Sequence, residues 1–130
     1  AEALRIFDGL FAAATDMDLR RLPELFCGLA RRPGRGPTLY PVACSPQAWA
    51  AAAPVALLQA CLGLGFDPAA KLVRFEQPVL PDWLDRVTIR GLMLCGERVD
   101  VNLSRREGHA GEVAASVLAR SGDVRVVSVS

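Results

Sequence analysis

Glu24 is the residue of this sequence best set to do chemistry. In Arg21-Leu22-Pro23-Glu24-Leu25-Phe26-Cys27-Gly28 it follows a proline and is flanked by Leu22, Leu25 and Phe26, so stiff backbone and apolar packing would hold its carboxylate in one direction. That suits an acid with a fixed task. The bland alternative is a loop Glu in water between two leucines that turn inward. Tyr40, Gln47 and Trp49 form a second group, in Tyr40-Pro41-Val42-Ala43-Cys44-Ser45-Pro46-Gln47-Ala48-Trp49. Sugar rings present an apolar C–H face and a rim of hydroxyls, so aromatic planes and an amide at a loop-to-helix junction suit a carbohydrate. Packing offers these residues other roles: Trp49 as core and Gln47 as a helper in capping.

Other chemistries find little material. Cys27, Cys44, Cys61 and Cys95 lack CxxC spacing, and the single His109 leaves no second imidazole, so no metal site is expected. Buried free thiols are the preferred reading, with a Cys27–Cys44 disulfide as the alternative. No GxGxxG, P-loop or nucleophile-elbow motif occurs, and no cofactor is implied. Asp8, Asp16 and Asp18 are the acids nearest to Glu24, but their contexts are a helix and its end, where solvated acids are common. Arg31, Arg32 and Arg35 read as a solvated loop face. Trp83 is expected in the core, pinning a sheet to the helices, and His109 in an exposed turn. Asp100 and Asn102 alternate with Val99, Val101 and Leu103, which puts them on the solvent face of a strand.

The elements that must position these groups follow from periodicity. Leu4, Phe7, Leu10, Phe11 and Ala14 recur at helical spacing over residues 2–14, and Thr15-Asp16-Met17-Asp18 ends that helix. It has no capping residue ahead of it and no initiator Met, which predicts that Ala1 is a cut. Residues 28–41, with Gly28, Gly34, Gly36, Pro33, Pro37 and Pro41, make a long loop of the kind that tends to be functional. Ser45 then offers an N-cap and Pro46 a first helical position, for a helix to about Leu62 with Pro54 inside and Gly63 and Gly65 at its end. After Pro68 the period becomes two. Residues 72–75, 87–92, 99–103, 113–118 and 124–129 read as strands, joined by turns at Cys95-Gly96-Glu97, Gly108-His109 and Ser121-Gly122-Asp123. Helices followed by strands predict an α+β fold with about five antiparallel strands.

The segments carrying Glu24 and Trp49 resemble the last barrel loop of the bacterial amylo-α-1,6-glucosidase-like (glycogen debranching enzyme) family. The resemblance extends from residue 2 to about 129 and is densest from Leu22 to Gly63. It implies the last two helices of an (α/α)6 barrel with the catalytic-base loop over residues 1–66, and a β-rich C-terminal segment over 67–130. Glu24 matches the acid of the family's Leu-Pro-Glu-Leu-Phe motif, so the resemblance implies an inverting glycoside hydrolase with Glu24 as general base. Inversion needs a second carboxylate, about 6.5–9.5 Å away, to protonate the leaving oxygen. In the family that acid lies on an earlier barrel loop, outside this chain. The implied partners are an oligosaccharide or polysaccharide substrate and the preceding barrel helices of the same protein. The fragment alone is expected to be inactive, and the alternative is a non-catalytic carbohydrate-binding or structural module.

Composition bounds the rest. Fifteen basic residues, fourteen of them Arg, nearly balance fourteen acidic ones with no basic stripe, so neither nucleic acid nor an anionic membrane is an expected partner. The N-terminal residues do not resemble a signal peptide, and the apolar run Ala48–Leu58 is far short of the roughly 20 residues that span a bilayer. A soluble cytoplasmic protein is expected.

Overall fold

The first helix, α1, runs Glu2–Thr15 in the computed structural model, which describes residues 2–106 and 111–129. The Gly108-His109 turn therefore lies outside the described residues. Phe7 and Ala14 of the apolar stripe are buried, and the Phe7 and Phe11 rings sit 5.7 Å apart at a 49° tilt. The helix ends as the sequence predicts. The Thr15 hydroxyl donates to the Ala12 carbonyl at 2.7 Å, and Asp18–Arg20 close a single 3₁₀ turn.

Pro23 then keeps the chain extended. Residues 22–27 lie against residues 38–47: Cys27 N–H donates to Thr38 O at 2.9 Å, Phe26 bridges Leu39, Glu24 N–H donates to Cys44 O at 2.8 Å, and Gln47 N–H donates to Leu22 O at 3.1 Å. Ala14, Leu22 and Ala50 form a small core beneath, with Leu10, Ala13, Met17 and Phe26 packed on it.

The second helix, α2, spans Ala48–Cys61 rather than starting at Pro46. Ser45 is not its N-cap. The Ser45–Pro46 peptide is cis, and the first helical acceptor is the Gln47 carbonyl, which takes the Ala51 N–H at 2.8 Å. Gln47 stands at the N-cap: its carbonyl accepts the first helical bond, and its N–H, which a helix start leaves without a helical acceptor, donates to Leu22 O. Pro54 lies inside α2 without ending it. Gly63 does end the chain's helical course, at φ +56°, donating its N–H to Ala60 O at 3.1 Å.

Gly65 is not part of that cap. Leu64–Asp67 form β1, a strand that the sequence reading missed because its residues follow directly on a helix end. It exists by pairing antiparallel with β2 (Leu72–Glu76), from Leu64↔Phe75 to Asp67↔Leu72. The remaining strands are β3 (Arg86–Leu94), β4 (Glu97–Arg105), β5 (Val113–Arg120) and β6 (Arg125–Val129). The fold is α+β, as expected, but with six strands among the described residues and in two three-stranded sheets, β1-β2-β6 and β3-β4-β5. The pairing is antiparallel except between β2 and β6, which run parallel.

The β3–β4 hairpin turns on Cys95 and Gly96, both at positive φ, the conformation of a two-residue type I′ loop. Val99, Val101 and Leu103 of β4 are fully buried, in the predicted alternation. Trp83 departs from expectation: it is 49% exposed, and Leu80 and Pro81 take the buried positions before it. The Arg105 guanidinium fixes that segment by donating to Leu80 O at 2.9 Å and Pro81 O at 2.7 Å. Trp83 is left in the turn that follows.

A polar clamp ties three turns of the β region together. Glu97 Oε1 accepts from Lys71 Nζ at 2.7 Å, while its Oε2 accepts the Asp123 and Val124 N–H groups at 2.8 and 3.1 Å. Lys71 also bonds Asp123 at 2.7 Å. The chain as a whole divides into two units, Ala1–Leu58 and Gln59–Ser130. All four residues expected to form the sugar site belong to the first.

Candidate functional site

Glu24 is half-buried, and both its backbone and its side chain are directed at Cys44. Its N–H donates to Cys44 O at 2.8 Å, and its Oε2 accepts the Cys44 N–H at 3.3 Å. The two bonds close a ring. The carboxylate is thus held by the facing loop segment rather than by its own apolar flanks. Leu25 on one side is 51% exposed, whereas Leu22 and Pro23 on the other are buried, so the bland picture of inward leucines holds on one side only.

The paired segments bring Gln47 to the same ladder, one backbone bond away at Leu22. Its side chain is half-buried. Tyr40 opens a turn closed by Ala43 N–H to Tyr40 O at 3.0 Å and is 45% exposed. Trp49 stands in the first turn of α2 and is 65% exposed. Ala50 takes the core position instead, which removes the packing explanation for the indole. The ladder therefore gathers an oriented acid and an amide-bearing residue, with two exposed aromatics from the same connection nearby in sequence.

A separate cleft of about 690 Å³ opens between the end of α1 and the proline-rich loop. Ala12, Ala13 and Asp16 form one wall and Cys27 with residues 29–38, Arg31, Arg32 and Arg35 included, the other; Glu24, Tyr40, Gln47 and Trp49 are not among its lining residues. The three arginines are exposed, as the sequence reading expected, and the face they share is the one that lines this cleft.

The thiols meet one half of the expectation, being free, and miss the other, burial. All four are free, so no Cys27–Cys44 disulfide forms, and only Cys61 is buried. Cys27 is half-buried with its Sγ 3.4 Å from Leu39 O, while Cys44 and Cys95 are exposed. Asp100 is more than a solvent-facing strand residue. Its carboxylate accepts the Gly91 N–H at 2.7 Å and Arg98 Nε at 3.1 Å, stapling the bulge at Arg90-Gly91. The Arg98 guanidinium, helped by the Gly91 N–H, holds its carboxyl below the usual range.

No family model, curated protein or solved structure matches the chain. Among the described residues, no helix is long and apolar enough to cross a membrane.

Proposed function

We propose that this chain is the C-terminal part of a glycoside hydrolase of the amylo-α-1,6-glucosidase-like kind, in which an (α/α)6 barrel closes on α1 and α2 and Glu24 serves as general base. The observation that carries the proposal is the two-bond tie between Glu24 and Cys44, which aims one carboxylate from a braced ladder. Water activation needs that: a base that is held in place, with a second carboxylate from an earlier barrel loop protonating the departing oxygen. Tyr40 and Trp49, exposed on the same connection, offer faces for glucosyl rings, and Gln47 an amide for their hydroxyls.

The character of α2 supports the larger barrel. Its sequence, Ala-Trp-Ala-Ala-Ala-Ala-Pro-Val-Ala-Leu-Leu-Gln-Ala-Cys, carries no charge, and Trp49 and Val55 are both about two-thirds exposed, at 65% and 67%. A helix apolar on every side belongs inside a larger array. On this reading the substrate is an α-linked glucan and the protein works in the cytoplasm, where its free thiols stay reduced.

In the complete protein, Glu24→Gln should lower turnover of a branched α-glucan by roughly 10²–10⁴-fold, the usual contribution of a general base. Glucan binding should remain. Turnover close to that of the parent would sink the assignment. One observation favours a second reading, a non-catalytic sugar-binding or structural module: the Glu24 carboxylate is already engaged as a brace on Cys44. In that case the parent shows no hydrolysis, and Trp49→Ala alone abolishes retention on glucan.

A further inference from the structure

The cleft between α1 and the loop differs in charge from what a neutral sugar would require. Its charged lining residues are Asp16, Arg31, Arg32 and Arg35, a net excess of two positive charges. Among the described residues, no ion pair joins any of the three arginines to an acid, Asp16 included, and Arg32 donates only to the Thr38 hydroxyl, at 3.4 Å. Elsewhere arginines of this chain do find acids: Arg98 with Asp100, Arg106 with Glu112. Several other arginines, such as Arg21, Arg86 and Arg90, also have no acid at ion-pair distance among the described residues; what sets Arg31, Arg32 and Arg35 apart is that these three exposed guanidinium side chains line one cleft.

The loop that carries them is held in shape. Pro33 and Pro37 restrict its backbone, Arg35 N–H closes a turn on Arg32 O at 3.3 Å, and Gly36 sits so close to α1 that a Cβ there would come within 3.0 Å of Asp16. Cys27 N–H to Thr38 O closes the loop's base at 2.9 Å. Three guanidinium groups on a braced turn lose less freedom on binding than three on a floppy one. Guanidinium forks match the paired oxygens of phosphate and carboxylate.

The cleft is also larger than an inorganic ion needs. At about 690 Å³ it lies in the range of small-molecule sites, and Ala12, Ala13 and Leu29 add apolar surface to its lining. We infer that this cleft binds a small organic molecule that carries a phosphate or carboxylate on a partly apolar body, with Arg31, Arg32 and Arg35 taking the anionic group. The inference does not rest on the glycosidase reading, since none of its residues belongs to the Glu24 ladder.

Calorimetric titration of the complete protein at low salt tests it, with phenyl phosphate and benzoate as probes and phenol as the neutral control. Saturable binding of either anion, at least tenfold tighter than phenol and weakening as salt is raised, is expected, and the tighter anion names the group. The triple change Arg31→Gln, Arg32→Gln, Arg35→Gln should weaken it at least tenfold with the circular dichroism spectrum unchanged. Asp16→Asn, which removes the opposing charge without changing shape, should tighten it several-fold. That variant decides alone if the triple one does not fold. Absence of saturable anion binding, equal binding of phenol, or unchanged affinity in the folded variants overturns the proposal.

Discussion

At the scale of single residues, what distinguishes Glu24 is that one side chain can serve two ends, and the two can be separated by substitution. Glutamine keeps an oxygen that accepts the Cys44 N–H, whereas alanine removes that 3.3 Å partner and leaves the N–H of an exposed residue to water. Glu24→Gln should therefore change stability by less than about 0.5 kcal/mol, and Glu24→Ala should cost about 0.5–1.5 kcal/mol, by denaturant midpoints at constant slope. Equal losses in both would deny the brace. Acid titration reads a second set of residues. Asp100, beside Arg98, and Asp123, beside Lys71, are both held below the ordinary carboxylate range in the fold. The native state therefore binds fewer protons than the unfolded chain as pH drops. Their contribution is complete above the unfolded value of about 3.9 and is lost as pH falls through the lower folded values. Denaturation midpoints should be flat from about pH 7 to 5 and fall below about pH 4, with Asp100→Asn giving a shallower fall. Lys71 works in the opposite direction. Its ammonium is raised above the usual lysine range by Asp123 and Glu97, so its contribution persists to about pH 10.4 and is lost only beyond it.

At the scale of elements, the chain's two periodicities were plain and its junctions were not. The apolar stripe of α1 and the alternation in β4 needed only residue types, because each is a local pattern repeated along one face. The start of α2 needed more. Ser45-Pro46 has good helix-start chemistry, yet the helix begins at Ala48, with Gln47 as the residue before it, its N–H donating to Leu22 some 25 residues back in sequence. β1 is likewise a product of its partner, being four residues that only the Leu64↔Phe75 register makes a strand. Gly63 is the pivot between these two elements. A Cβ there would lie 1.9 Å from the Glu76 carbonyl oxygen, and φ is +56°. Gly63→Ala should thus cost roughly 2–5 kcal/mol, combining left-handed backbone strain with overpacking. A thermal midpoint within a degree of the parent would contradict that contact. Gly122, whose Cβ would meet the Glu97 carboxylate at 2.3 Å, is constrained by the polar clamp in the same way.

At the scale of the whole molecule, the two units bury very different amounts of their apolar residues. Gln59–Ser130 encloses Val73, Phe75, Val99, Val101, Leu103 and Val124 completely, while in Ala1–Leu58 the buried hydrophobics are Phe7, Ala14, Leu22 and Ala50. Leu29, Val42, Trp49 and Val55 stay at least 65% exposed in that first unit. Apolar surface of this kind drives association. The 130-residue chain by itself should therefore self-associate at micromolar concentration in sedimentation velocity, and Trp49→Gln with Val55→Gln should shift it toward monomer; a monodisperse parent chain would argue against the covering helices of the proposed barrel. The sequence by itself determined the α+β class, the two helices, five of the strands and the stiffness around Glu24, since all of these are set by local periodicity and by proline and glycine. Only the tertiary structure decided that Cys44 would aim the carboxylate, that Trp49 and Trp83 would stand outside the core, and that three loop arginines would line one cleft with Asp16. Each of these depends on which distant backbone groups find one another. A hydrogen bond between residues 20 apart leaves no period for a sequence to display.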